Sequence, residues 1–521
     1  MLAPQPCAAG AGQHHERPLP ADFSEPIALY KGVLGTFSRQ VTTANPEAQA
    51  YFTQGFALMY AFAKIEAGRS FREAERRDPQ CAMCYWGEAW TWGPYVNGRM
   101  TAPEAARALA AIQKARALAA SHASPKEQAL IGAMAERYAD PFDSAAQAAR
   151  DRAYADAMAR VTAKWPDDLD AATLYAEALF LLLPRPGMFD LADPAVARLI
   201  RVLEGALARD VRHPGACHLY IHTTELTTEP ARALACAEHL GNALPGASHL
   251  NHMPAHTWTR VGRWGDAVRA SLQAWQSDQK ASRGEGVLTY PAHDLQMLAY
   301  AASMDGQASL AIQAGRGLTT LAHDPVLHAL TLVRFGRFDD VMTALGDRPA
   351  GDLQAGAWDF ARGYAHLRRG QADEARRLLD RLAASAASSK AVFKIHPVNA
   401  LLGILGGILD GEIRLASGDA GGAIAAFERA VKLDDALAID DPPPLPFTAR
   451  HWLGAGLLEA RRFADAERVY REDLVRRPHN GWALIGLRQS LAGQSKPVAA
   501  VDAELRANWT RADASIRASR F

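Results

Sequence analysis

The sequence predicts an all-α fold, a right-handed solenoid of helix–turn–helix repeats. Three observations carry this. The 521 residues form Ala-rich segments without long alternating runs of Val, Ile, Thr and aromatics, so strands are not the main element. Small residues, aromatics and prolines recur with a period of about 34 residues. Composition is that of an ordinary soluble protein, with 49% hydrophobic and 22% charged residues.

Charge and hydropathy exclude several function classes. Lys+Arg and Asp+Glu both number 57, so the chain lacks the basic footprint of a nucleic-acid binder. No stretch approaches the roughly 18 apolar residues of a membrane-spanning helix, so no membrane partner is expected. The opening MLAPQPCAAGAGQHHERPLP has no basic start followed by an apolar core. Five cysteines are too few for a disulfide framework, and a reducing compartment is the default. The expected location is therefore the cytoplasm, with the periplasm the alternative if a leader has been removed.

The repeats can be laid out in order. A unit of about 34 residues wants a large residue at position 4, small ones at 8 and 20, an aromatic at 24, Ala at 27 and Pro at 32. Small residues let two helices approach, and Pro stops the second. Starting at Ala48, these slots hold Tyr51, Gly55, Ala67, Phe71, Ala74 and Pro79. Starting at Phe447, Gly454, Ala466, Tyr470 and Pro478 fall in place, and starting at Ile404, Gly411, Ala423, Phe427 and Ala430. These residues resemble the tetratricopeptide repeat. Weaker units start near Ala82, Ala135, Leu169, Pro214, Ser248, Ala292, Ala322 and Gly356. The Pro-rich stretches 184–194 and 440–447 read as loops between units. From about Pro497, Val501, Leu505, Trp509 and Ile516 read as one apolar face of a capping helix. The expected organisation is an irregular segment over 1–40, repeats over 41–183, a His-rich group over 184–320, further repeats over 321–495 and a cap over 496–521. The resemblance implies a concave groove lined by positions 2, 5, 9, 12 and 13 of each unit, and most such proteins bind peptides there.

Histidine is the chemical signal. Seven of the 17 His lie between His213 and His256. His218 and His222 are four apart, as are His252 and His256, so each pair shares a helix face about 5–6 Å apart and can chelate one ion. Both pairs hold positions 5 and 9 of adjacent units, offset by one repeat. Four imidazoles therefore converge on one ion or two. His249 and His293 each hold position 2 and point inward, and Glu225 at position 12 can supply a carboxylate. This donor set suits a transition metal such as Cu, Zn or Fe and disfavours Ca and Mg. The bland alternative is a hydrogen-bonded polar groove. His213 and His239 read as structural.

FREAERRDPQCAMCYWGEAWTWGP (71–94), HPGACHLYIH (213–222), HMPAHTWTRVGRW (252–264) and NGWALIGL (480–487) resemble a family of bacterial tetratricopeptide proteins of poorly defined function. The resemblance implies further His near position 64 and at 296. Lys64 and Gln296 stand here, which implies an altered or smaller site.

Cys81 and Cys84 form a CxxC without the following His of a haem site and without a second CxxC for zinc. At a helix N-terminus they are a candidate second thiol site for a soft ion, a labile disulfide, or packing. Trp86 and Trp90 hold groove positions 5 and 9, where they serve core packing or ligand stacking, and Cys217 reads as core. No phosphate loop, dinucleotide fingerprint, HExxH or GxSxG occurs.

Two functions follow. One is a soluble solenoid with a His-rich transition-metal site in its groove, a possible metal-dependent oxidative or hydrolytic enzyme in which Glu225, Arg260 or Asp294 handles protons or substrate. The other is a non-enzymatic scaffold that binds a peptide or other small ligand in the groove. Metal delivery involving Cys81 and Cys84 is a third. The metal, the reaction and the oligomeric state are not legible.

Overall fold

A computed structural model describes residues 23–184, 187–514 and 516–521; the opening stretch read for a leader, including Cys7, lies outside the described residues. The fold is an all-α solenoid of paired helices. Among the described residues the only strands are Val392–Phe393 and His396–Pro397, a two-residue antiparallel pair. No helix is long and apolar enough to cross a membrane among those residues. The chain divides into two compact units. The N-terminal unit holds the described residues up to Thr257 together with Gln273–Pro291, and the C-terminal unit holds Trp258–Leu272 and Ala292–Phe521.

The repeat register is visible in the packing. Phe71, at position 24, lies where Gly55 of its own unit and Gly87 of the next have no side chain; a Cβ at either would sit 2.8 or 2.4 Å from the ring. Tyr470 is held in the same way between Gly454 and Gly486, at 2.3 and 2.0 Å. Such distances are far inside van der Waals contact, so glycine is what admits the aromatic into a close-packed helix pair. The turn between the paired helices has its own signature at position 15. Phe62, Gly262, Gly306, Gly336, Gly370, Gly418 and Arg461 all occupy it with φ between 55° and 82°. The left-handed residue ends the first helix, and glycine adopts it without cost.

Helix ends follow ordinary capping chemistry. Asn45 caps Pro46–Tyr60, and Thr101 and Ser124 form capping boxes with Glu104 and Glu127. The terminal helix runs Ala499–Asn508, shorter than the apolar spacing from Val501 to Ile516 suggests. Trp509 turns in against Trp482, with ring centroids 5.6 Å apart, and no helix follows among the described residues up to Phe521.

Candidate metal centre

The centre is built on HPGACHLYIH. His213 caps the helix Pro214–Glu225: its Nδ1 accepts the Ala216 N–H at 3.1 Å, and Pro214 takes the first helical position, where no N–H is needed. Its Nε2 donates to Asp170 at 3.1 Å. Gly215 has no Cβ because the Tyr60 ring fills that space, 2.3 Å from where one would be. This contact presses the end of the first repeat, Tyr60 to Phe62, against the start of the His helix. The Tyr60 hydroxyl is anchored on Asp170 at 2.7 Å, and Asp170 also receives Arg39 at 2.6 Å. Burial raises the cost of ionising Asp170, yet His213 and Arg39 keep its carboxyl below the usual range. Arg39, Asp168, Asp170 and His213 form part of the wall of an outer cleft of about 900 Å³.

His218, His222 and His249 converge, with one nitrogen from each lying within 4.8 Å of the others. The second ring nitrogens of His218 and His222 are engaged in the way expected of ligands. His218 Nδ1 donates to the Tyr60 carbonyl oxygen at 2.5 Å, which leaves Nε2 facing His249 Nε2 at 3.1 Å. His222 Nδ1 donates to Glu225 Oε1 at 2.9 Å. Two nitrogens on one tetrahedral zinc-like ion with ordinary bond lengths lie about 3.3 Å apart. The observed separation is close to that value.

His252 and His256 extend the cluster. Their Nε2 atoms are 2.7 Å apart, and His256 Nδ1 lies 2.5 Å from Glu225 Oε2 as an ion pair. Pro254 divides their segment into the helices Ser248–His252 and Pro254–Arg260, yet both rings face inward. The His249 and His252 ring centroids are 5.9 Å apart, and those of His222 and His256 are 5.6 Å apart. Within the N-terminal unit, five imidazoles thus form one continuous patch held together by one carboxylate. Burial opposes the charge on Glu225, but His256 and His222 outweigh it and hold the carboxyl below its ordinary range.

The expectations are narrowed here. Of the two alternatives, one ion or two, the first pair groups with position 2 of the following unit: the trio joins His218 and His222 to His249. Glu225 lies behind two imidazoles, bonded to His222 Nδ1 and paired with His256 Nδ1. The His do not line an open groove, since His218 is 1% exposed and His222, His249, His252 and His256 are 0%. The helix Pro214–Glu225 is buried on every side. Arg260, His293 and Asp294 belong to the C-terminal unit, where His293 and Asp294 are buried on the helix Pro291–Met304.

The walls are aromatic. Phe62 lies over the trio, with centroid distances of 4.2, 5.8 and 5.4 Å to His218, His222 and His249. Tyr290 meets His249 edge-on at 5.1 Å, and its hydroxyl bonds that of Tyr95 at 3.0 Å. Five of the seven left-handed turn residues are glycine; Phe62 accepts that conformation at a cost of about 1–2 kcal/mol. A small cavity of about 20 Å³ lies against His218, lined also by Tyr60, Phe62, Trp90, Glu177 and Gly215. Its volume matches a water-sized guest. Burial pushes the Glu177 carboxyl up against the pull of Arg137, and Trp90 Nε1 donates to it at 3.3 Å. Sequence reasoning missed Tyr60, Phe62, Tyr290 and Glu177. Only Phe62 left a trace, as the bulky residue at a turn position that is usually glycine.

Lys64, where the resemblance implies a His, lies near Gly93 and Tyr95. Its ammonium donates to the Gly93 carbonyl at 3.2 Å and lies 4.5 Å over the Tyr95 ring. Trp86 is core, stacked on Phe56 at 6.1 Å. Cys81 and Cys84 are joined as a disulfide at the start of the helix Ala82–Trp92, and Cys217 is joined to Cys236. Paired sulfurs offer no thiolate to a soft ion. Cys217 is indeed buried toward its neighbouring helix, but as a crosslink and not as a free thiol.

A search of solved structures finds helical proteins of similar fold. Yeast Tom70 matches with a TM-score of 0.32 and 11% identity over 86% of this chain and 96% of that one. The P58(IPK) TPR domain matches with a TM-score of 0.23 and 11% identity over 86% and 98%. Cut9–Hcn1 matches with a TM-score of 0.30 and 15% identity over 91% and 79%. The chain resembles tetratricopeptide-repeat proteins. Likenesses this distant carry no weight of their own; the resemblance rests on the glycine–aromatic pairs and the turn register. No protein-family model and no curated protein matches the chain.

Proposed function

We propose that the N-terminal unit is a transition-metal protein, with copper, zinc or iron held by His218, His222 and His249, and that its activity depends on that ion. The observation that carries this reading is the pairing of ligand and back-side bond: each of His218 and His222 spends Nδ1 on an oxygen and keeps Nε2 toward the cluster. Glu225 and Phe62 hold the rings in that orientation. When bound, such an ion supplies Lewis-acid or redox chemistry to a small co-ligand. The burial of the three rings restricts that co-ligand to the size of water or dioxygen. His252 and His256 add a second nitrogen pair to the same patch.

The test is metal content by mass spectrometry on untagged protein, beside His218→Ala/His249→Ala. The parent is expected to carry about one or two equivalents of one transition metal, and the variant none. Parent protein that stays metal-free after loading with zinc, copper and iron would sink the reading.

The paired cysteines support an oxidising compartment, such as the periplasm, over the cytoplasm expected from the count alone. Four of the five cysteines are paired. Alkylation of unreduced, denatured protein should therefore label one cysteine; labelling of all five would return the chain to a reducing compartment.

A further inference from the structure

In the C-terminal unit the chain lays its own last residues across the repeats. Ser519 and Arg520 are buried, with Ser519 at 0% exposure, although they lie beyond the last helix. Arg334 donates to the Ser519 carbonyl at 3.2 Å. The Ser519 hydroxyl donates to the His451 carbonyl at 2.6 Å and pairs with the Tyr470 hydroxyl at 2.7 Å. Arg520 reaches Glu412 at 3.0 Å and Glu459 at 2.5 Å. The Phe521 ring packs edge-on against Tyr364 at 5.9 Å, and the Arg368 guanidinium lies 4.9 Å from its centre.

The receiving residues follow the repeat. Arg334 is position 13 of the unit at Ala322, Tyr364 and Arg368 are positions 9 and 13 of the unit at Gly356, Glu412 is position 9 of the unit at Ile404, and His451 and Glu459 are positions 5 and 13 of the unit at Phe447. Four successive units therefore aim equivalent positions at one non-helical segment. A terminal cap covers the exposed apolar end of a repeat stack with a helix. Here a hydroxyl, a guanidinium and an aromatic ring each enter a matched site along the inner face. The buried Arg520 guanidinium is met by the buried Glu412 and the exposed Glu459, and such a pairing is a recognition device because a charge is costly to bury without its partner.

We propose that this face is a peptide-binding groove kept occupied by residues 516–521, and that its partner is an extended protein segment presenting a hydroxyl residue followed by Arg and an aromatic. The segment acts as an intramolecular ligand: effective concentration keeps it seated, and a partner binds when it displaces the segment. This inference is independent of the metal centre.

The test nicks a chain that has already folded. A protease site is inserted after Ala514 in the full-length protein, and binding of a fluorescent Ile-Arg-Ala-Ser-Arg-Phe peptide is followed by polarisation before and after cleavage. The uncut protein is expected not to bind. The cut protein, with its circular dichroism unchanged, is expected to exchange in one labelled peptide, and a peptide with Glu in place of the second Arg should bind roughly thirtyfold more weakly or worse. A Glu412→Arg/Glu459→Arg chain should reverse that preference. Equal binding of the two peptides, or failure of the cut and folded protein to take up either, overturns the proposal. Unfolding on cleavage overturns it as well, because the segment is then part of the core.

Discussion

Glu225→Gln is expected to weaken metal binding by about 10- to 100-fold while leaving the protein folded. The carboxylate accepts the His222 Nδ1–H on one oxygen and pairs electrostatically with His256 Nδ1 through the other, 2.5 Å away. Glutamine can accept from only one of them. Its NH₂ end must donate to the other ring, which forces the proton of that imidazole from Nδ1 to Nε2. At His222 this puts the hydrogen on the nitrogen left for the ion, and at His256 on the nitrogen that faces His252 in the second pair, so a donor position of the patch is blocked in either case. The change keeps size and packing, so the loss reports tautomer control and not a cavity. The measurement is a competition titration of zinc against a chelator, with parent, Glu225→Gln and His222→Ala side by side. Parent-like affinity in Glu225→Gln would show that the carboxylate does not orient the ligands.

Acidification from pH 7 to pH 4 is expected to remove on the order of 3 kcal/mol of stability from the C-terminal unit through His451 alone. Burial is the main reason its imidazolium is disfavoured, and the Arg334 guanidinium adds to this. Asp473 pulls the other way and does not compensate, so the pKa is lowered from 6.5 to about 4. The hydrogen bonds explain the direction. Arg334 donates to His451 Nδ1 at 2.8 Å, so that nitrogen must be bare, while Nε2 donates to Asp473 Oδ2 at 3.0 Å. A second proton would point Nδ1–H at a guanidinium. The unfolded chain takes up that proton near pH 6.5 and the folded chain only near pH 4. Stability is therefore full above pH 6.5, drains as the pH falls to about 4, and levels off below it for this group. Asp473, held below the usual carboxylate range chiefly by His451 once burial is overcome, adds its own loss at still lower pH. Denaturant unfolding followed by tryptophan fluorescence should show this slope in the parent, and His451→Gln should flatten it. An unchanged slope in the variant would assign the acid sensitivity elsewhere.

Much of the architecture was legible because a repeat is a local rule. Small residues at position 8 and aromatics at 24 meet within one unit, so their spacing along the chain already states the contact; Gly454 and Tyr470 are an example. The turn glycines belong to the same class. The His pairs were legible for a similar reason, since residues four apart share a helix face whatever lies around them. The terminal segment was misread at Ile516 because apolar spacing alone does not say where a helix stops: the chain leaves helix at Trp509, whose ring is taken by Trp482.

The sequence by itself determined the helical repeat, its register and the crowding of imidazoles on two adjacent units, because each depends on separations of a few residues. Only the tertiary structure decided which imidazoles meet. Tyr60 and Phe62 reach His218 across 158 and 156 residues through the gap left by Gly215, and that approach orients Nε2 toward His249. Tertiary packing also decided that the His are sealed from solvent, that Glu225 braces two rings from behind, and that the chain's last residues lie along the inner face of the C-terminal repeats. The physical reason is common to all of these: hydrogen-bond direction and burial are properties of neighbours brought together by folding, and spacing along a chain does not encode them.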